Sequence, residues 1–274
     1  MIDYFRLTRP LNCFMAGIAV VVGCLVGAGS EINIHGIQVA LAFAVCFVVT
    51  AGGNTINDLY DVKIDAINKP HRPIPSGRIS PRSAFAFAIS LFGIGIVLSY
   101  FINPICLLIA AANSLVLMGY AYKLKRTVLW GNVSIGYLTG STFLFGGAAV
   151  NEIAITFVLF MLAALATVGR EIAKDVEDMK GDKKEGLITL PISVGVKKSA
   201  IIASAFAMMA VVLSPLPIVL SNFGTSYLVI VTLADVILLL GTTIIEKHPA
   251  KSSSLLKVGM MVGLLAFIMG AMIG

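Results

Sequence analysis

Residues 36–65 read GIQVALAFAVCFVVTAGGNTINDLYDVKID, an apolar run that passes directly into Asn57, Asp58, Asp61 and Asp65. A helical crossing of about 30 Å of hydrocarbon takes roughly 20 mostly apolar residues, and the run over 36–56 supplies that length. Its end therefore carries three carboxylates to a membrane surface. Eight further stretches have the same apolar character, at approximately 11–29, 83–101, 104–122, 130–149, 152–171, 196–220, 226–245 and 254–273. The pattern predicts an all-α membrane protein, a single polytopic domain over 1–274. Its nine transmembrane helices form a bundle that encloses a cytoplasm-facing active-site cavity.

Composition agrees. Hydrophobic residues make up 58% of the chain and charged ones 12%, with a mean hydropathy of +0.96. A soluble domain of this size would be left with a large exposed apolar surface. The first stretch sits inside the repeating pattern and lacks a small-residue cleavage site, so it reads as a permanent span, not a signal peptide. With nine spans, all 20 Lys and Arg fall on one side, while the opposite loops, such as 29–36, 101–104 and 221–226, hold none. Basic residues are retained in cytoplasmic loops, which puts the N-terminus inside and the C-terminus outside. The same bias accounts for the net charge of +6, so no nucleic-acid partner is expected. Cys13, Cys24, Cys46 and Cys106 lie within spans at no metal-like spacing and read as packing residues. Gly23 with Gly27, and Gly136 with Gly140, have the spacing of close helix contacts. Trp130 suits an interfacial anchor.

The acidic residues need another explanation. Nine of the 14 Asp and Glu fall in two windows, Asp58 to Asp65 and Glu171 to Glu185. Thr50 to Asp65 aligns with Thr167 to Asp182 at an offset of 117, with six identities in sixteen positions. Asp58, Asp61 and Asp65 answer to Asp175, Asp178 and Asp182. Spaced i, i+3 and i+7, each set falls within about 60° of arc on a helix, and Asn54 or Glu171 joins the same face four residues upstream. Like charges so placed repel and need a cationic offset. Salt bridges to Lys63, Lys69, Lys174 or Lys180 are the plain alternative. Two copies at one spacing, both at cytoplasmic mouths of spans, favour a hard divalent cation. Mg²⁺ is held by a few carboxylates together with substrate phosphate oxygens. Such a centre would make diphosphate a leaving group, and an attached prenyl tail would run into the apolar bundle.

At these residues the chain resembles the UbiA-type intramembrane prenyltransferases. Asn57-Asp58-Leu-Tyr-Asp61-Val-Lys-Ile-Asp65 resembles their NDxxDxxxD signature, Asp175-Val-Glu-Asp178-Met-Lys-Gly-Asp182 their second aspartate motif, and Tyr120-Ala-Tyr-Lys123 their YxxK motif. The segments Arg6 to Asn12, Gly53 to Asp58 and Asn68 to Gly77 are most similar to the archaeal, ether-lipid branch of that family. The resemblance implies a prenyl diphosphate donor, a phosphorylated lipid acceptor, Mg²⁺ as cofactor and surrounding membrane lipids. The specific reaction implied is transfer of a geranylgeranyl group from its diphosphate to the hydroxyl of geranylgeranylglyceryl phosphate. Asp58, Asp61, Asp175 and Asp178 would ligate metal, and Asp65 and Asp182 would bind metal or steer loop cations. Asn54 and Glu171 could complete the shells, and Asn57 is expected to bind substrate. Arg72, Arg78, Lys123, Arg126, Arg170 and Lys184 could divide between the donor diphosphate and an acceptor phosphate. Tyr120 or Tyr122 could face the allylic cation with its ring, or could instead anchor the interface.

The loops 66–82 and 183–195, punctuated by Pro and Gly, are expected to close over the diphosphate and exclude water. A transporter would place ionisable groups at mid-membrane, where the chain offers little beyond Asp235. The D-x2-D-G-x2-A-R pattern of CDP-alcohol phosphatidyltransferases is missing. A prenyltransferase with an aromatic acceptor, such as 4-hydroxybenzoate, a naphthoate or a porphyrin, remains the nearest alternative.

Overall fold

A computed structural model describes residues 2–184, 186–221 and 223–273, without the side chain of Lys184. Among the described residues every regular element is helical. In chain order these are α1 (Ile2–Thr8), α2 (Pro10–Ala28), a 3-10 segment (Gly29–His35), α3 (Gly36–Tyr60), α4 (Val62–Asn68), α5 (Pro81–Tyr100) and α6 (Pro104–Tyr122). A 3-10 turn (Leu124–Arg126) leads to α7 (Trp130–Ala149), α8 (Ile153–Lys184), α9 (Leu190–Val194), α10 (Val196–Leu213), α11 (Leu216–Ser221), α12 (Thr225–Thr243) and α13 (Pro249–Ile273). Local sequence explains several starts. Pro81 and Pro104 open α5 and α6, where a missing N–H costs nothing. Ser80 Oγ accepts from Ser83 N (3.1 Å), and Asn103 Oδ1 accepts from Cys106 N (2.8 Å), so both helices are capped. Asn103 also donates Nδ2 to Ala148 O (2.7 Å), satisfying a carbonyl at the end of α7.

Eight of the nine expected apolar stretches each fall on one long helix, and the other, 196–220, is divided between α10 and the short α11. Among the described residues seven stretches of helix are long and apolar enough to cross a membrane, and one of them, Pro10–Tyr60, contains both α2 and α3. The remaining long helix, α7, is lowered in hydropathy by Asn132, Ser134, Thr139, Ser141, Thr142 and its glycines. Most of these residues are buried, because α7 packs inside the bundle against α2 and α8. The glycines permit that approach. A Cβ on Gly136 would stand 2.7 Å from Ala164 O, and one on Gly23 would stand 2.5 Å from Phe143 O. Leu11, Ile37 and Val219 are more than 70% exposed, an outward apolar surface that suits lipid.

The four cysteines are free, and Cys13, Cys24 and Cys106 are buried, in line with a packing role. The connection expected at 66–82 begins inside α4 and ends inside α5, so its irregular part is 69–80. Leu7, Ile74, Ile79 and Ala84 form a small buried cluster that clamps this segment between α1 and α5. The expected loop 183–195 holds the end of α8 and all of α9, and Glu185 within it lies outside the described residues.

Candidate active site

At about 1.5 Å per residue the 25 residues of α3 span about 37 Å and the 32 of α8 about 48 Å, both more than the hydrocarbon thickness. Their ends therefore project past the apolar layer, and the aspartates occupy those ends. The two copies differ in backbone. In the first, helix geometry lapses at Asp61 (φ −91°, ψ 2°) and resumes in α4, although Asp61 N still bonds Asn57 O (3.0 Å) and Asp65 N bonds Asp61 O (2.8 Å). In the second, Asp175, Asp178 and Asp182 lie within one unbroken α8.

Electrostatic surroundings differ as well. Asp58 and Asp65 are buried. Arg9 pairs with Asp58, and Arg72 Nη1 reaches both Asp58 Oδ1 (3.0 Å) and Asp65 Oδ2 (2.6 Å). Lys125 pairs with Asp61 and donates to Asn57 Oδ1 (3.3 Å). Burying unpaired carboxylates is expensive, and these three cations offset that cost. In the second copy Asp175 accepts instead from the neutral amide of Asn132, Nδ2 to Oδ2 at 2.8 Å. Asp182, Glu171 and Asp178 all lie within electrostatic reach of Asp175. Arg170 pairs with its neighbour Glu171. The Tyr120 hydroxyl, half-buried on α6, lies within electrostatic reach of Glu171, Asp61 and Asp175, members of both clusters.

Below these groups lies a cavity of about 420 Å³ among α2, α3, α6 and α7, lined by apolar groups such as Met15, Val45, Val49, Leu117 and Leu138. Thr50, also on its wall, shares a face of α3 with Asn54 and Asp58. Asn54 itself is turned toward α1, donating Nδ2 to Thr8 O (2.8 Å).

Other anticipated residues stand further out. Lys123 and Arg126 are exposed and make no ion pair among the described residues. Arg78 pairs with Asp3 (3.3 Å) and donates to His71 O (2.6 Å), pinning the 69–80 segment to α1. Tyr122 is exposed and meets Tyr60 edge to face, with centroids 5.5 Å apart, as an anchor at the bundle surface would. Trp130 is likewise exposed. Asp182 remains on the α8 stripe, and Lys184, whose side chain was expected to bind phosphate, lies outside the described side chains. Three residues at the site escaped the sequence reading: Arg9, Lys125 and Asn132. Asp235 is half-buried on α12, where it accepts from Ser214 Oγ (2.6 Å), and Ser214 O accepts from Tyr227 (2.6 Å). That chain of bonds clasps α12 to the end of α10.

Among the described residues no three His, Cys, Asp or Glu side chains converge closely enough to hold a metal ion alone. The donor chemistry nevertheless fits Mg²⁺, which takes one or two carboxylates and completes its shell with waters and substrate phosphates. Carboxylates of both clusters lie within electrostatic reach of Tyr120, and Asn132 adds an amide at Asp175.

These features define an intramembrane member of the UbiA prenyltransferase family: that family's pattern matches residues 16–265, and the chain belongs to it. Among its relatives is a digeranylgeranylglyceryl phosphate synthase of Methanosarcina mazei, 46% identical with 97% of each chain covered. The enzyme of the same name from Methanococcoides burtonii is 47% identical, over 99% of this chain and 100% of its own. A solved structure described as that synthase superposes with a TM-score of 0.92 at 45% identity, covering 98% of this chain and 97% of its own. A UbiA homologue of Archaeoglobus fulgidus, solved with GPP and Mg²⁺, shares the fold with a TM-score of 0.73 at 21% identity, over 97% of this chain and 99% of its own.

Proposed function

We propose that the chain is an Mg²⁺-dependent prenyltransferase of archaeal ether-lipid synthesis. It moves a geranylgeranyl group from geranylgeranyl diphosphate to the free hydroxyl of geranylgeranylglyceryl phosphate and releases diphosphate. The observation that carries the reaction class is that carboxylates of both clusters lie within electrostatic reach of Tyr120, above an apolar cavity. The acceptor rests on the near full-length relatives that bear the synthase name. In this reading nine helices cross the membrane with the N-terminus inside, and the site faces the cytoplasm, as the one-sided distribution of all 20 Lys and Arg indicates.

Asp58, Asp61, Asp175 and Asp178 hold Mg²⁺, with Asp65 and Asp182 beside them. Mg²⁺ supplies charge neutralisation for the departing diphosphate. Arg9, Arg72 and Lys125 bind phosphate oxygens, and the prenyl tail lies in the cavity lined by Val49 and Leu117. The allylic carbon–oxygen bond breaks with its electron pair leaving on diphosphate. Tyr120 turns its ring face to the resulting cation, an interaction worth about 2 kcal/mol when desolvated. The acceptor oxygen then forms the ether bond, and its proton passes to the departing diphosphate. The 69–80 segment, clamped at Ile74 and Ile79, keeps water from the cation.

An acceptor panel offered with geranylgeranyl diphosphate, with and without EDTA, tests this function. Product is expected only from the glyceryl phosphate and only with metal, and Asp58→Ala or Asp175→Ala should each abolish it. Prenylation of an aromatic acid in its place would overturn the acceptor, and full activity in either variant would overturn the two-cluster mechanism.

A further inference from the structure

The first cluster is closed by the protein's own cations. Asp58, with 5% of its side chain exposed, is held by two guanidiniums at once, and one of these also holds Asp65. Arg9 sits in the left-handed region (φ 49°, ψ 68°), a conformation that a non-glycine residue adopts at a cost. Its side chain is 32% exposed, so the group that grips Asp58 is partly open to solvent. A divalent cation entering beside Arg9 and Arg72 would meet two positive charges already on Asp58 Oδ1 and one of them on Asp65 Oδ2. Removing the guanidiniums without a replacement would strand a buried carboxylate. Both obstacles vanish when a diphosphate arrives, because phosphate oxygens accept guanidinium bonds in bidentate geometry. At the second cluster Asp175 bonds a neutral amide, and no ion pair reaches Asp175 or Asp178 among the described residues.

We propose that Arg9 and Arg72 act as exchangeable counter-cations. They occupy Asp58 and Asp65 while the site lacks donor and transfer to diphosphate as it binds, so metal enters the first cluster only together with diphosphate. Arg9 is thereby a positioning residue that couples the two ligands. The inference rests on the metal-diphosphate function proposed above.

The test is Mn²⁺ binding, read by electron paramagnetic resonance, to the full chain in nanodiscs with and without inorganic diphosphate. Wild type should bind Mn²⁺ at least about 5-fold more tightly with diphosphate, the lower end of ordinary coupling between sites. Arg9→Gln should tighten diphosphate-free binding by a similar factor and shrink the coupling, and adding Asp58→Asn should remove that gain. Arg72→Gln should behave likewise and serves if Arg9→Gln does not fold. A merely structural arginine would leave metal affinity unchanged or weaken it, and that result in both variants overturns the exchange while leaving the catalytic function intact. Absence of Mn²⁺ binding to wild type even with diphosphate would sink both.

Discussion

Lys123 and Lys125 stand two residues apart beyond α6, yet only Lys125 reaches the carboxylates. The 3-10 turn over Leu124–Arg126 separates their directions, leaving Lys123 and Arg126 in solvent and turning the ammonium of Lys125 onto Asp61. Truncating one partner of a largely buried charge pair costs about 2 kcal/mol or more, so Lys125→Met should lower kcat/KM by about 30-fold. Lys123→Met should change it by less than about 3-fold, since exposed charges contribute little. Steady-state kinetics on both variants, with donor varied, decides which lysine serves the site. The carboxylates themselves were legible from spacing, because i, i+3 and i+7 define a helical face without any knowledge of the neighbours. Their partners were not. Arg9 is 49 residues from Asp58 in sequence, and Lys125 is 64 from Asp61. Asn132 carries no charge, and at the head of an apolar helix it signals only a dip in hydropathy.

Among the elements, α7 depends most on small residues, since its neighbours' backbones occupy the space a side chain would need. Gly136→Leu should cost about 1–3 kcal/mol by overpacking against Ala164 and Val168, and the thermal midpoint in detergent should fall. Gly93 on α5 has nothing within 4 Å of its would-be Cβ, so Gly93→Ala should leave that midpoint unchanged or raise it. An equal fall in both would show that glycine serves helix flexibility in this bundle and not close approach. The 69–80 segment carries a second consequence. Ile74 within it is only 4% exposed, and Ile74→Ala removes roughly 2 kcal/mol or more of packing. The segment should then open more often, and the ratio of donor hydrolysis to prenyl transfer should rise; an unchanged ratio would remove it from any role in excluding water. Apolar runs revealed where the long helices lie because burial in lipid imposes length and composition directly. Boundaries on the polar side were less legible: α8 runs on past the end of its apolar stretch, and α3 breaks at Asp61 between two aspartates of one stripe. Whether an acidic, basic-flanked turn stays helical depends on which cations reach it, a tertiary fact.

At the scale of the whole molecule, the repeat offset by 117 residues has become functionally unequal. One copy is neutralised by arginine and lysine drawn from the junction of α1 and α2, the 69–80 segment and the turn after α6; in the other, Asp175 faces an amide from α7. In the proposed nine-span arrangement all three cations fall on the side that carries every Lys and Arg of the chain, so the charge asymmetry expected to orient the protein would also furnish the proposed phosphate-binding groups. That arrangement would link orientation to catalysis, since a reversed insertion would turn the site away from a cytoplasmic donor. Cysteine labelling tests this directly. In a background with Cys13, Cys24, Cys46 and Cys106 replaced by alanine, a membrane-impermeant maleimide should label Asn33→Cys, exposed on the 3-10 segment between α2 and α3, on intact cells. Lys251→Cys, exposed in the first turn of α13, should react only after permeabilisation. The opposite pattern would invert the topology, and labelling of both positions on intact cells would require an even number of crossings between them, against the seven that lie there in the nine-span arrangement.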